Sequence, residues 1–111
     1  MTVAELMKKY YFHDSMLESI RLLDDHSVEL VIDICRWMQD DYQDSEEEMQ
    51  IQRFVFKDVN FCEYDEYDID SDSILEARAL DDQTLELVVL HESDGSCHIV
   101  RIRASYLQIF V

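Results

Sequence analysis

The sequence contains no proline and a single glycine, Gly95, in 111 residues. Turns must therefore be built from Asp, Asn and Ser clusters, and a phosphate-cradling glycine loop is all but excluded. Neither G-x-S-x-G nor H-E-x-x-H occurs, which removes the commonest hydrolase signatures. A run of roughly 18 apolar residues, the minimum for a membrane-crossing helix, is missing. The opening MTVAELMKKYYF lacks the basic start and apolar stretch of a secretory signal, so a soluble, cytoplasmic protein is expected. Basic residues are scarce: nine Lys and Arg stand against 26 Asp and Glu, a formal net charge of -17. Such a surface repels nucleic acid and anionic membrane, and neither is expected as a partner. Cysteine is limited to Cys35, Cys62 and Cys97, odd in number and without a CxxC, which fits reduced thiols better than a disulfide framework.

What is present suffices for one folded domain over residues 1–111, since 48% of the residues are apolar and the length allows one modest core. Thr2 and Glu5 form a capping box, and Val3, Leu6, Met7, Tyr10 and Tyr11 recur at helical spacing, predicting a short helix that ends near Phe12. Beyond "HDS" at 13–15 the period changes to two. Strands are predicted at 16–22, 28–35, about 50–57, 74–80, 84–92 and 97–104, with the tail YLQIFV extending the last. Met16, Ile20 and Leu22 share one face of the first strand, and Val28, Leu30, Ile32 and Ile34 share one face of the second. Trp37, Phe54, Phe56 and Phe61 are expected as the bulky core pieces.

"RLLDDHSVELV" at 21–31 aligns without gaps on "RALDDQTLELV" at 78–88, with seven of eleven positions identical. This internal repeat predicts two three-stranded meanders, residues 16–59 and 73–106, joined by the acidic connection 63–72. The fold expected is α+β, mainly β: a short N-terminal helix plus a duplicated antiparallel meander, forming one six-stranded sheet or half-barrel. Three-residue turns at Asp24-Asp25-His26 and Asp81-Asp82-Gln83 place Arg21 opposite Glu29 and Arg78 opposite Glu86. They also place Ile20 opposite Leu30 and Ala77 opposite Leu87, so each register pairs charges on one face and apolar groups on the other. A type I′ turn at Asp94-Gly95 would pair Glu86 with Arg103 and His91 with His98. The ion pairs are read as exposed cross-strand pairs worth a fraction of a kcal/mol each.

Three stretches invite a chemical reading. "DIDSDSILEARA" at 68–79 opens as a calcium loop does, but Ser73 replaces the turn glycine and Ala79 the bidentate Glu. A non-EF calcium site then rests on ligand type alone, and a solvated acidic loop is the plainer reading. His91 and His98 are weak zinc candidates without a third and fourth ligand; a stacked or hydrogen-bonded pair is the simpler account. "FHDS" at 12–15 sets His, Asp and Ser side by side, which does not make a triad, because those groups must converge in space. No catalytic residue, no cofactor and no enzymatic activity are expected.

The acid remains. Asp40, Asp41, Asp44, Glu46, Glu47 and Glu48 crowd one loop with Tyr42. Glu63, Asp65, Glu66, Asp68, Asp70 and Asp72 crowd another, with Tyr64 and Tyr67. Carboxylates interleaved with tyrosine suit an Arg- and Lys-rich partner protein, with fast, salt-sensitive association; the competing reading is a mobile loop that only solubilises. A small, very acidic domain without catalytic signature resembles the immunity proteins of bacterial toxin systems. The layout of a short helix, "FHDS" and strands ending in "FVFKDV" is similar to small bacterial families grouped with them. That resemblance implies binding and inhibition of a basic, nuclease-like toxin domain, and it carries no motif from which residue roles could be transferred. An acidic nucleic-acid mimic or regulatory protein would use the same loops, and a calcium- or zinc-binding domain is the third alternative. The uncharged tail 107–111 could pair with a second copy as an edge strand, giving a homodimer.

Overall fold

In the computed structural model, which describes residues 1–24, 26–65 and 68–111, the capping box forms as the sequence predicts. Glu5 N–H donates to Thr2 Oγ1 and Thr2 N–H to Glu5 Oε1, both at 3.2 Å. Helix α1 spans Val3–Lys9, ending a turn earlier than Phe12, because Tyr10 is already extended. The strands are β1 (Met16–Asp24), β2 (Ser27–Cys35), β3 (Met49–Lys57), β4 (Phe61–Glu63), β5 (Asp72–Asp81), β6 (Thr84–Leu90), β7 (Cys97–Arg103) and β8 (Tyr106–Phe110). All pair antiparallel in one open sheet of order β4-β7-β6-β5-β1-β2-β3-β8. Among the described residues the sheet thus has eight strands, where six were predicted. Phe61–Glu63 forms an additional strand on β7. The tail does not extend β7 but crosses over to pair with β3, Lys57 facing Tyr106.

The missing proline and glycine are replaced by aspartates. Asp24 Oδ1 accepts the His26 N–H at 2.8 Å, Asp81 Oδ1 that of Gln83 at 2.9 Å, and Asp94 Oδ1 that of Ser96 at 2.9 Å. Each is an Asx turn, in which a short carboxylate imitates the backbone acceptor of a tight turn. Hydrogen bonding lowers all three carboxyl pKa values by favouring the ionised form, at Asp94 first through the Ser96 hydroxyl and then the backbone N–H, at Asp24 and Asp81 first through the backbone N–H. Asp25, the middle of the first predicted turn, lies outside the described residues.

Both predicted registers hold: Arg21 faces Glu29 and Ile20 faces Leu30, while Arg78 faces Glu86 and Ala77 faces Leu87. The third hairpin differs by two residues. Arg101 faces Glu86, Arg103 faces Thr84, and His98 faces Val89. Gly95 N–H donates to His91 O and His91 N–H to Ser96 O, at 2.8 and 2.7 Å, so the turn is wider than a two-residue Asp94-Gly95 turn. The ion pairs also differ from the exposed ones expected. Glu29 and Glu86 are 2% and 4% exposed, each roofed by arginines whose stems lie on the sheet while their heads reach water.

β1 and β5 pair only at Met16–Leu17 with Asp72–Ser73. Just beyond, each strand bulges, at Leu17/Ser19 and at Ile74/Glu76. A bulge bends and twists its strand, so the two halves part there and close over one core. Leu30, Ile32, Phe54 and Phe56 enter it from one half, and Leu85, Leu87, Val89, Val100 and Ile102 from the other. Val3 and Leu6 of α1 join them, and Tyr10 and Phe12 pack on Phe54 with ring centroids 5.8 and 5.7 Å apart. The bulge also breaks the predicted face of β1: Leu17 is buried and Leu22 is 66% exposed. Trp37 and Phe61, expected in the core, are 52% and 44% exposed. Among the described residues no helix is long and apolar enough to cross a membrane.

Candidate functional site

β1 and β5 meet by their first residues and run apart, so β1, β3, β5 and β7 all start, and β2 and β6 finish, at the bend between the two halves, which forms one end of the folded sheet. The connections 10–15, 36–48, 64–71 and 91–96 therefore gather there, and both acidic segments lie at the same end. Between β2 and β3 the chain makes a 3-10 turn, Arg36–Met38. Gln39, 6% exposed, anchors it: Nε2 donates to Tyr11 O and Cys35 O at 2.6 and 3.0 Å, and Oε1 accepts the Tyr11 N–H at 2.9 Å. One buried amide thus satisfies three backbone groups and ties the acidic loop to the segment after α1. Arg36 bridges Asp41 and Glu46, each at 3.0 Å. Asp40, Asp44, Glu47 and Glu48 are exposed. Across a cleft of about 320 Å³ from Asp40 and Asp41 stand Lys8 and Lys9 of α1.

Tyr42 is half-buried, its hydroxyl on Glu46 O at 3.4 Å. Tyr64 packs against the core, and Glu66 and Tyr67 lie outside the described residues. Among the described residues here, the aromatic rings most open to solvent are instead Trp37, which the turn rotates out of the sheet, and Tyr11, 52% and 50% exposed. Neither was legible as an anchor: Trp37 ends an apolar alternation, and Tyr11 follows a helical one.

In the second segment, Asp65, Asp68 and Asp70 are exposed. Glu63 sits on β4 with Arg101 at 3.1 Å. Asp72 is fully buried and belongs to the fold, not to an anionic surface. Its Oδ1 accepts the Glu92 N–H at 3.3 Å and its Oδ2 meets His91 Nδ1 at 2.9 Å. His91 Nε2 in turn meets Ser93 Oγ at 2.7 Å. The Asp72 hydrogen bond and charge raise the His91 pKa against the opposing effect of burial. A parallel arrangement holds His98, with Nδ1 on Asp65 at 3.3 Å and Nε2 on Ser96 at 2.8 Å. The two imidazoles meet edge to face, 6.1 Å apart. Their order of Asp, His and Ser is that of a proton relay, but Ser93 lies only two residues from His91 on one turn. What the connection does mechanically is tie the start of β5 to the β6–β7 turn. Among the described residues no three His, Cys, Asp or Glu side chains form a metal-holding group, and of the D-x-D-x-D carboxylates Asp72 points inward.

No protein-family model, no curated protein and no solved structure matches this chain.

Proposed function

We propose that this is a non-enzymatic acidic binding protein that captures a basic protein partner with the loop end of its sheet, in the manner of an immunity protein neutralising a nuclease-like toxin domain. The observation that carries this reading is the pairing of exposed Trp37 and Tyr11 with the exposed carboxylates Asp40, Asp44, Glu47 and Glu48. Large amphipathic rings beside exposed acids suit arginine twice over, through the ring face and through the charge. A purely solubilising loop has no use for an exposed tryptophan. Capture from the source cell should therefore yield a basic protein whose toxicity is suppressed when the two are co-expressed. Replacing Asp40, Asp44, Glu47, Glu48, Asp65, Asp68 and Asp70 by Asn and Gln, together with Trp37→Ala, should abolish capture and leave the melting temperature unchanged or raised. Undiminished capture by that variant, or a partner that is not basic, would overturn the assignment.

The fold itself we read as a duplicated meander, each half followed by a strand that crosses to the edge of the other. Several matches support this. The bulges and the turn aspartates of β1 and β5 coincide at the 57-residue offset of the sequence repeat. Asp14 and Ser71, at that offset, both take positive φ, 67° and 51°. Ser15 Oγ accepts the Cys35 N–H as Asp72 Oδ1 accepts that of Glu92. β8 lies on β3 as β4 lies on β7.

A further inference from the structure

The two halves differ at one conspicuous place. In the first, the gap between β8 and the β5–β6 turn is filled by the N-terminal segment. Met1 N donates to Leu107 O at 3.0 Å, Leu107 N–H to Met1 O at 2.8 Å, and Ala4 N–H to Asp82 O at 3.2 Å. Val3 and Leu6 are thereby driven to 0% and 1% exposure. In the second, the corresponding gap lies between β4 and the β1–β2 turn, and among the described residues no helix occupies it. It is a groove of about 500 Å³ walled by Leu22, Val28, Val59, Phe61 and Cys62, with Asp24 at its rim. The correspondence is fixed by hydrogen bonds: Val59 N–H donates to His26 O at 2.9 Å where Ala104 N–H donates to Gln83 O at 3.0 Å. Phe61 faces Arg103 as Tyr106 faces Lys57. Cys62 consequently stands where Leu107 stands, at the edge position that Met1 bridges in the other half.

We propose that this groove receives a short amphipathic helix from a partner protein, seated as α1 is seated in the first half, with a basic C-terminal turn. Its walls are made for burial: Leu22 and Phe61 are 66% and 44% exposed, and burial raises the pKa of the Cys62 thiol, keeping it neutral. An apolar pair at helical spacing, as Val3 and Leu6 are, fills such a groove, and the edge backbone of Cys62 supplies the entry hydrogen bonds. The basic turn follows from direction. α1 runs from the Asp82 turn toward the acidic end, finishing in Lys8 and Lys9. A helix seated likewise on β4 points its C-terminus at the segment that carries Asp65, Asp68 and Asp70, where the helix dipole and the carboxylates both call for cations. The site shares Asp65, Asp68 and Asp70 with the loop end, but its apolar groove lies apart from Trp37 and Tyr11 and does not depend on capture there.

A synthetic peptide with the sequence of residues 1–12 is the probe. Titrated into the isotope-labelled full chain, it should shift the amides of Leu22, Val28, Val59, Phe61 and Cys62 saturably. Leu22→Asp, at an exposed position that the fold tolerates, should weaken the interaction about tenfold with an unchanged melting curve. A peptide with Lys8→Glu and Lys9→Glu should bind more weakly than the parent. Four outcomes would overturn the proposal: no shifts at millimolar peptide, shifts confined to the acidic loops, shifts at Leu107 and Asp82 showing displacement of the resident segment, or a concentration-dependent dimer that Leu22→Asp dissolves, which would make the groove a contact between copies.

Discussion

Arg53 should matter more to stability than the glutamate it binds. Arg53 donates from Nε at 2.7 Å and from Nη2 at 2.6 Å to a single Glu29 oxygen, and its guanidinium lies over the Phe110 ring at 5.5 Å. Glu29 is 2% exposed and Arg53 52%, while the second arginine, Arg21, stands 3.7 Å from Glu29 and is 67% exposed. Arg53→Met keeps the stem packing but strands a covered carboxylate with one distant partner. A broken buried pair costs about 3–5 kcal/mol; half-exposure of Arg53 reduces this to about 2 kcal/mol. Glu29→Leu leaves two guanidiniums that can turn to water and puts an apolar side chain between Val31 and Val55, so its cost is about 1 kcal/mol or less. In the double variant nothing charged is stranded, and stability should return to within about 1 kcal/mol of the parent. For a chain of this size 1 kcal/mol is roughly 4 °C. Thermal and urea melts of the four proteins should therefore show Arg53→Met as the least stable, lower by about 8 °C, and rescued by adding Glu29→Leu. A double variant no better than Arg53→Met, or a Glu29→Leu that melts lower than Arg53→Met, would refute the reasoning. The second half supplies the control. Glu86 is held at 2.7 Å by Arg78 and at 2.8 Å by Arg101, so Arg78→Met leaves a close partner and should cost less than Arg53→Met.

Because the Asp72 bond raises the His91 pKa in the fold, the stabilisation is fully present below the unfolded histidine value of about 6.5 and is lost as pH rises through the raised folded value; the pH dependence of the melting temperature between those limits should flatten in His91→Gln. Gln39→Ala leaves the Tyr11 and Cys35 backbone groups without their buried partner, and should cost about 1–3 kcal/mol in urea melts while speeding amide exchange in residues 36–48. Phe54→Ala removes the ring on which Tyr10 and Phe12 pack, for about 3–5 kcal/mol in the same assay.

Local signals in the sequence sufficed where the physics is local. The alternation of Val28, Leu30, Ile32 and Ile34 locates β2, all four being buried, and charge and apolar pairs at once select the Arg21–Glu29 register. The destinations of β4 and β8 had no such signal. Phe61–Glu63 and Tyr106–Phe110 each pair with a strand some 40 or more residues away in sequence, and a three- or five-residue segment carries no periodicity that names its partner. The β6–β7 register failed because Asp94-Gly95 has the composition of a two-residue turn, whereas the Ser96 N–H and hydroxyl both bind Asp94 and widen it. Of the candidate site, the charge was legible and the rings were not. Apolar alternation says nothing of the 3-10 turn that ends it, so from sequence Trp37 reads as a core residue. Asp72 reads as one more of its acidic neighbours because its histidine is 19 residues away.

The charge of the chain is not spread over its surface, and the arginines explain why. Arg21 and Arg53 close on Glu29, Arg78 and Arg101 on Glu86, so four of the nine basic residues are bound to the outer faces of the sheet. Residues 36–48 hold one, Arg36, already shared between two carboxylates, and 64–71 and 91–96 hold none. Repulsion is thereby moved off the hydrogen-bonded sheet and into connections that contribute little to the core, where it costs least. The same displacement concentrates negative potential at one end, beside Trp37 and Tyr11. A protein selected only for solubility gains nothing from that concentration; a protein that must find a basic partner quickly gains encounter rate from it. Under the proposed capture, association rates should therefore fall steeply with added salt, with Trp37→Ala acting mainly on dissociation.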